Sequence, residues 1–176
     1  MSGHNKWSKI KNRKAVTDAA KSKIFSKMAR LISVAAKEVK GDTSSPALRA
    51  VIEKAREYNM PALNIERAVK KGAGGESEAL EAITYETYGP GGAALIIEAL
   101  TTNRNKAAQE VKFILSQHGL VLATPGSVTW AFLKDGREWN PTNTIPLDEE
   151  DEKKLEKLIE ELEENDEVQD VYTNAA

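Results

Sequence analysis

The chain has 176 residues, of which 40% are hydrophobic and 30% charged, and it contains no cysteine. This composition is typical of a globular protein with one good-sized domain or two small ones. It excludes disulfides, thiolate metal sites and a cysteine nucleophile, and no apolar run approaches the roughly 20 residues of a membrane-spanning helix. The polar N-terminus shows no secretory signal, so we expect a cytoplasmic protein.

The formal net charge of −2 conceals opposite charges in the two parts of the chain. Residues 1–72 carry 17 Lys/Arg and 6 Asp/Glu, whereas the remainder carries 8 basic and 21 acidic residues. Such asymmetry indicates a partner for the basic part, and a phosphate backbone is the leading candidate. Docking of the basic part on the acidic part, or a merely solvated surface, is the alternative that charge alone leaves open.

Three amphipathic helices are predicted in the basic part. Apolar residues recur at helical spacing over 18–40, over 46–58 and between Pro61 and Gly72, and Gly41 and Gly72 are suited to end helices. The first helix places most of its Lys and Arg residues nearly opposite its apolar stripe. The apolar face can therefore pack against the other helices, while the basic face can bind phosphates. The short connections favour a small helical bundle.

The pattern changes after the glycine-rich stretch 72–77, which is the best candidate linker. The pattern then predicts a hairpin of strands at 83–88 and 93–100 around a Gly-Pro-Gly-Gly turn, followed by a helix at 103–117. Strand-like stretches at 120–122 and 128–133 precede an irregular stretch at 136–146. A helix capped by Asp148 and a strand at 168–172 are predicted at the end. This order predicts an α+β fold, in which a three-helix bundle precedes a small sandwich with an antiparallel sheet and helices on one face. We place the domains at 1–75 and 76–176.

No catalytic or metal-binding constellation emerges from the sequence. His4 and His118 are far apart, each is predicted to be exposed, and neither has a partner at metal-ligand spacing. The glycine-rich turn leads into a strand, whereas phosphate-binding loops lead into a helix. The segment 103–106, Asn-Arg-Asn-Lys, starts a helix and could either cap it or bind a phosphate. We therefore predict no enzymatic activity, no cofactor and no metal.

The strongest candidate site is the basic arm formed by residues 1–16, which lacks apolar periodicity and is expected to order on its target. Lys and Arg bind phosphates without reading sequence, while Trp7 and His4 could stack on the bases of single-stranded or folded RNA. Burial of Trp7 against the bundle is an equally weighted alternative. The predicted nucleic-acid-binding residues are His4, Lys6, Trp7, Lys9, Lys11, Arg13, Lys14, Lys21, Lys23, Lys27, Arg30, Lys37 and Arg104.

Most of these residues belong to a series of motifs that resembles the YebC/PmpR family, which includes the mitochondrial translational activator of cytochrome c oxidase. Residues 2–14 are similar to the opening signature of the family, and further blocks lie at 23–27, 59–61, 65–68, 71–72, 88–92, 102–105, 126–128 and 166–174. The resemblance implies a longer, three-domain protein whose third domain is inserted into the second after a strand ending near Phe132. That insertion is predicted to be absent here, near 134–146.

The resemblance implies a regulatory protein that binds nucleic acid. It implies either a ribosome-associated translation factor that supports synthesis through stall-prone stretches such as consecutive prolines, or a DNA-binding transcriptional regulator. Binding to ribosomal RNA is our first hypothesis, because a basic arm suits irregular folded RNA and no base-reading helix is recognisable. The alternative is a DNA-binding transcriptional regulator. A hydrolase or transferase is the third hypothesis, and it lacks an assembled nucleophile, base and orienting group. No membrane or small-molecule partner is expected.

Overall fold

A computed structural model describes Trp7 and residues 17–75 and 79–176, and it divides the chain into two compact units. The helical unit lies within Lys14–Leu80, and the sheet unit comprises Glu81–Ala176 together with Trp7. The sequence places Trp7 in the same domain as the helices. The structure instead buries it in the core of the sheet unit.

The helical unit consists of α1 (Asp18–Glu38), α2 (Pro46–Glu57) and α3 (Ala62–Ala73). α1 begins at Thr17, whose side-chain oxygen accepts a hydrogen bond from the backbone N–H of Ala20 at 3.1 Å. α2 begins at a proline, which lacks the N–H that would be unsatisfied at this position. Apolar residues of all three helices form one core, as the helical periodicity predicts.

Gly72 has a different structural role from the one that the sequence indicates. It lies inside α3 rather than just beyond its end. A Cβ atom at this position would come within 2.3 Å of the backbone oxygen of Ser33 in α1. The Ser33 hydroxyl in turn donates a hydrogen bond to the carbonyl oxygen of Ala68 at 3.1 Å. The glycine is therefore required by the close packing of α3 on α1.

Between Glu81 and Ala176, the sheet unit contains two antiparallel sheets and two α-helices. Its elements are β1 (Glu81–Tyr88), β2 (Ala94–Thr101), α4 (Arg104–Gln117), β3 (Phe132–Asp135), β4 (Glu138–Pro141), α5 (Glu149–Glu164) and β5 (Val168–Thr173). The larger sheet has the order β1-β2-β5, and β3 pairs with β4. α4 and α5 begin at the predicted caps Asn103 and Asp148, whose side chains accept hydrogen bonds from the backbone N–H groups of Lys106 and Asp151.

The central strand β2 is covered on both faces, which explains its nearly continuous apolar sequence. On one face Leu95 and Ile97 pack in a core built largely from α4 and α5. On the other face Ile96 packs with Phe132 and Tyr172. The two helices therefore lie on one face of the sheet, and the predicted α+β class is confirmed.

The segment between α4 and β3 differs from the two strands predicted there. Residues 120–128 form no strand, residues Thr129–Ala131 make a short 3-10 turn, and the strand begins only at Phe132. The stretch predicted to be irregular includes β4 at its centre. Residues 142–148 then connect β4 to α5 where the family insertion is predicted to be missing.

A buried carboxylate accounts for the bent path of this segment. Glu86 in β1 is 5% exposed, and its side-chain oxygens accept three backbone hydrogen bonds. The donors are the N–H groups of Gly126 at 2.7 Å and of Val128 and Thr129 at 3.0 Å each. Because these N–H groups point at one carboxylate, they are not available to a strand ladder. Nothing in the local sequence around Glu86 predicts that residues 126–129 fold onto its carboxylate.

Candidate nucleic-acid interface

The predicted arm is described only at Trp7. His4, Lys6, Lys9, Lys11, Arg13 and Lys14 lie outside the described residues. Trp7 is 5% exposed, and its indole N–H donates a hydrogen bond to the carbonyl oxygen of Ala175 at 3.2 Å. Its ring is buried in the core of the sheet unit, whereas our alternative of burial places it against the helical bundle. In this conformation the indole cannot stack on a base.

The cations of α1 differ in accessibility, although the sequence predicts one open face for them. Lys21 and Lys37 are exposed, and Lys23 and Arg30 are partly buried. Lys27 is only 4% exposed, so its predicted position on an open surface is wrong. The helical period gives the side of the helix on which a residue lies, but it does not reveal what covers that side.

Arg104, the predicted contact in the sheet unit, forms an ion pair. Its guanidinium lies 2.7 Å from a carboxylate oxygen of Glu81, and both side chains are exposed. Next to it, Lys106 lies 3.4 Å from Glu167. Asn103 caps α4, so capping accounts for this segment without a phosphate. A phosphate that binds Arg104 would have to compete with Glu81.

Three cations of the helical unit line an open groove between α1 and α3, which we call the α1–α3 groove. Its volume is about 620 Å³. Arg30 of α1 and Arg67 and Lys71 of α3 line it, and no acidic residue is among the lining residues in the part of the chain that the structure describes. Arg67 and Lys71 are absent from the sequence-predicted site.

Arg67 and Lys71 are four positions apart on α3, which brings their side chains to the same face of the helix. Across 17–75 and 79–176, neither residue forms an ion pair, and both are exposed. Two like charges at this spacing repel each other modestly, so a bound anion would relieve that repulsion. The spacing is a usable signal in the sequence, but lysines at the end of α3 also match the ordinary preference for positive charge in the last turn of a helix.

A second groove, the α2–α3 groove, lies along the opposite side of α3 and has a volume of about 480 Å³. Arg49 and Arg56 line it together with Glu53 and Glu66. Arg56 lies 2.5 Å from Glu53, and Glu66 lies 3.4 Å from Lys70. Its cations are thus balanced by carboxylates from the same unit, and it offers an external anion little net charge.

The described residues do not meet the requirements of a free histidine, a metal site or a membrane-spanning helix. His118, predicted to be exposed, is partly buried, and its Nε2 lies 2.7 Å from an oxygen of Glu161. In residues 17–75 and 79–176 no three acidic or histidine side chains converge as a metal site would require. None of the helices in these ranges has the length and apolar composition needed to cross a membrane.

Comparison with known proteins places both units in one family. Residues 5–75 match the family described as "TACO1/YebC protein N-terminal domain", and residues 80–138 and 134–175 match "TACO1/YebC second and third domain". The crystal structure of a conserved hypothetical protein, Aq1575 from Aquifex aeolicus, aligns with a TM-score of 0.77 and 32% identity over 90% of this chain and 91% of that one.

Relatives with assigned names agree with this placement. A Fervidobacterium nodosum protein is 41% identical over 99% of this chain and 93% of its own length, and a Petrotoga mobilis protein is 45% identical over 98% of this chain and 70% of its own. Both are named "Probable transcriptional regulatory protein". The first alignment runs over 235 positions, so that relative has stretches with no counterpart among these 176 residues. The chain belongs to the TACO1/YebC family.

Proposed function

We propose that this chain is a cytoplasmic nucleic-acid-binding regulatory protein and not an enzyme, and that its basic helical unit contacts phosphates. The observation that carries the proposal is the uneven charge of that unit. Residues 17–75 hold 12 Lys/Arg against 6 Asp/Glu, and three of these cations line a groove that has no acidic residue among its described lining residues. The regulatory names of the relatives support the same role.

We propose RNA at the ribosome as the favoured partner, with support of translation as the outcome. The support for RNA is the density of Lys and Arg in residues 1–14, which suits the irregular backbone of folded RNA. Lys and Arg contacts to phosphates carry no sequence preference of their own. Such contacts suffice for a factor whose target is selected by shape.

Duplex DNA is the second candidate, and two observations favour it. The relatives carry names of transcriptional regulators. In addition, α2 and α3 are joined by only four residues, 58–61, a connection length that occurs in DNA-binding helix pairs. In this alternative the cations of the same helical unit would contact the backbone of the duplex.

Cosedimentation separates the two candidates. We expect the full chain to sediment with ribosomes at moderate salt and to be displaced by competing RNA more readily than by duplex DNA. Saturable binding to one promoter fragment without cosedimentation would instead support the DNA-binding alternative. Failure to bind either nucleic acid would overturn the proposed function.

The arm can be tested separately by replacing Lys9, Lys11, Arg13 and Lys14 together with Ala. Affinity should fall strongly, and the magnitude of the slope of log K against log salt should decrease by about 2.8 to 3.6, since each of the four phosphate contacts contributes roughly 0.7 to 0.9. The free energy of unfolding should barely change, and a denaturation curve supplies that control. An unchanged affinity and salt slope would show that the arm is not the contact.

A further inference from the structure

We infer that the α1–α3 groove holds one unpaired nucleotide of a single-stranded nucleic acid, with its phosphate on Arg67 and Lys71 and its base against Phe25 and Met60. The inference rests on the proposed function and adds a site and a strand preference to it. Four features of the groove carry it: its cations, its apolar wall, its polar side chains and its size.

The cations supply the phosphate site. Arg67 and Lys71 are exposed, lie on the same face of α3, and face no acidic lining residue in the described part of the groove. A guanidinium can donate two parallel hydrogen bonds to a phosphate, and an ammonium adds a compact charge beside it. This pair suits one phosphate group of a backbone.

The apolar wall is an edge of the core of the helical unit, in which Met60 is buried and against which Phe25 packs. Phe25 is partly buried, Met60 is 6% exposed, and Leu80 completes this lining. Aromatic and thioether side chains provide surfaces on which a base of any identity can lie. The combination of such a wall with a cationic edge matches the two chemical halves of a nucleotide.

Polar side chains without formal charge line the same groove. Ser22 and Ser26 of α1 offer hydroxyls, and Asn64 of α3 offers an amide. Hydroxyl and amide groups both donate and accept hydrogen bonds, so they can serve the edge of a base or a ribose hydroxyl. A 2′-hydroxyl would give this groove a means of distinguishing RNA from DNA.

The size of the groove sets the strand preference. A volume of about 620 Å³ lies in the range of sites that hold one small molecule, roughly 300 to 1,000 Å³. A base within a duplex is stacked and paired, and it would have to leave the helix before it could enter. The groove should therefore select unpaired strands, whereas exposed cations elsewhere on the unit would bind either form.

The test compares the full chain with two double variants of equal charge loss. R67A/K71A removes the two α3 cations of the α1–α3 groove and leaves Arg30 of α1 in place, and R49A/R56A removes two cations from the α2–α3 groove. Each is titrated with a labelled single-stranded homopolymer and with a duplex of the same length at the same salt concentration. All four residues are exposed, so thermal unfolding curves should show that both variants are folded.

We expect the unmodified chain to bind the single strand more tightly than the duplex. R67A/K71A should lose about tenfold or more in single-strand affinity and most of the strand preference, whereas R49A/R56A should lose less than about threefold. Equal losses in the two variants, or equal affinity of the unmodified chain for both strands, would overturn the nucleotide site while leaving nucleic-acid binding in place. Absence of binding to both strands would overturn the proposed function itself.

Discussion

The two grooves that flank α3 have similar numbers of cations but different electrostatic character. In the α2–α3 groove, Glu53 and Glu66 lie among the cations, and Glu53 pairs with Arg56. In the α1–α3 groove, Arg67 and Lys71 face no carboxylate among the described lining residues. We therefore favour the α1–α3 groove as the site for an external anion because of where the acidic residues lie, and not because of its number of Lys and Arg residues.

The surroundings of a cation also distinguish single residues of the predicted site. Lys27 and Arg104 are counted alike in the sequence, yet one is buried and the other pairs with Glu81. An exposed ion pair of this kind contributes at most about 1 kcal/mol to stability. It can still lower affinity for a phosphate, because the phosphate must replace a carboxylate that is already in place.

The largest expected effect comes from removing the close packing that shapes the α1–α3 groove. Gly72→Val places a branched side chain against the backbone oxygen of Ser33, where a Cβ atom alone would come within 2.3 Å. We expect the free energy of unfolding of the helical unit to fall by about 3 kcal/mol, measured by chemical denaturation.

Lys70→Ala is the matched control, because Lys70 lies in the same last turn of α3 and is exposed. Its effect should stay within about 0.5 kcal/mol. If Gly72→Val unfolds no more easily than Lys70→Ala, then α3 does not pack closely on α1, and the groove has a different shape.

A smaller loss of stability should leave both grooves intact. Glu86→Gln replaces one carboxylate oxygen by an amide nitrogen, which cannot accept a hydrogen bond, while the three backbone N–H donors at 126–129 remain in place. We expect the sheet unit to lose about 2 kcal/mol, and affinity for nucleic acid to stay unchanged at temperatures where the variant is folded. A clear loss of affinity in the folded variant would show that the sheet unit takes part in binding.

The smallest expected change comes from a variant in which the α2–α3 groove, like the α1–α3 groove, has no acidic side chain among the lining residues that the structure describes. E53Q/E66Q removes both carboxylates and releases Arg56 and Lys70 from their ion pairs. Stability should change by only a few tenths of a kcal/mol, because these pairs are exposed. At low salt, its affinity for a single strand should be about threefold higher than that of the unmodified chain, and at high salt the two affinities should become equal, as fluorescence titrations can measure.

An unchanged affinity of this double variant at low salt would show that acidic neighbours do not distinguish the two grooves. A fall in affinity would mean that the glutamates themselves contribute to binding, and the α2–α3 groove would then be the better candidate site.

Much of the fold follows from local sequence patterns. The periodic stretches predict α1, α4 and α5 to within a few residues, and the alternating segments around the Gly-Pro-Gly-Gly turn predict β1 and β2. These elements depend on residues near one another in the chain, such as Thr17, Asn103 and Asp148 at the helix starts. Local hydrogen bonds and periodicity therefore carry enough information to predict them.

The remaining features depend on contacts between distant residues. Trp7 donates to a carbonyl 168 positions away, and Glu86 binds backbone groups about 40 positions later. Neither partner can be read from a local pattern. The α1–α3 groove is hidden in the sequence for the same reason, because Arg67 and Lys71 gain their significance from the α1 residues across the groove.

The most direct measurement is a titration of the isotopically labelled full chain with a short single-stranded oligonucleotide, followed through backbone amide chemical shifts. We predict that the largest shifts fall on α1 and α3 residues around the α1–α3 groove, among them Ser26, Arg67 and Lys71. Shifts around Arg49 and Glu53 of the α2–α3 groove should be small. The largest shifts in the α2–α3 groove or in the sheet unit would contradict a nucleotide site between α1 and α3.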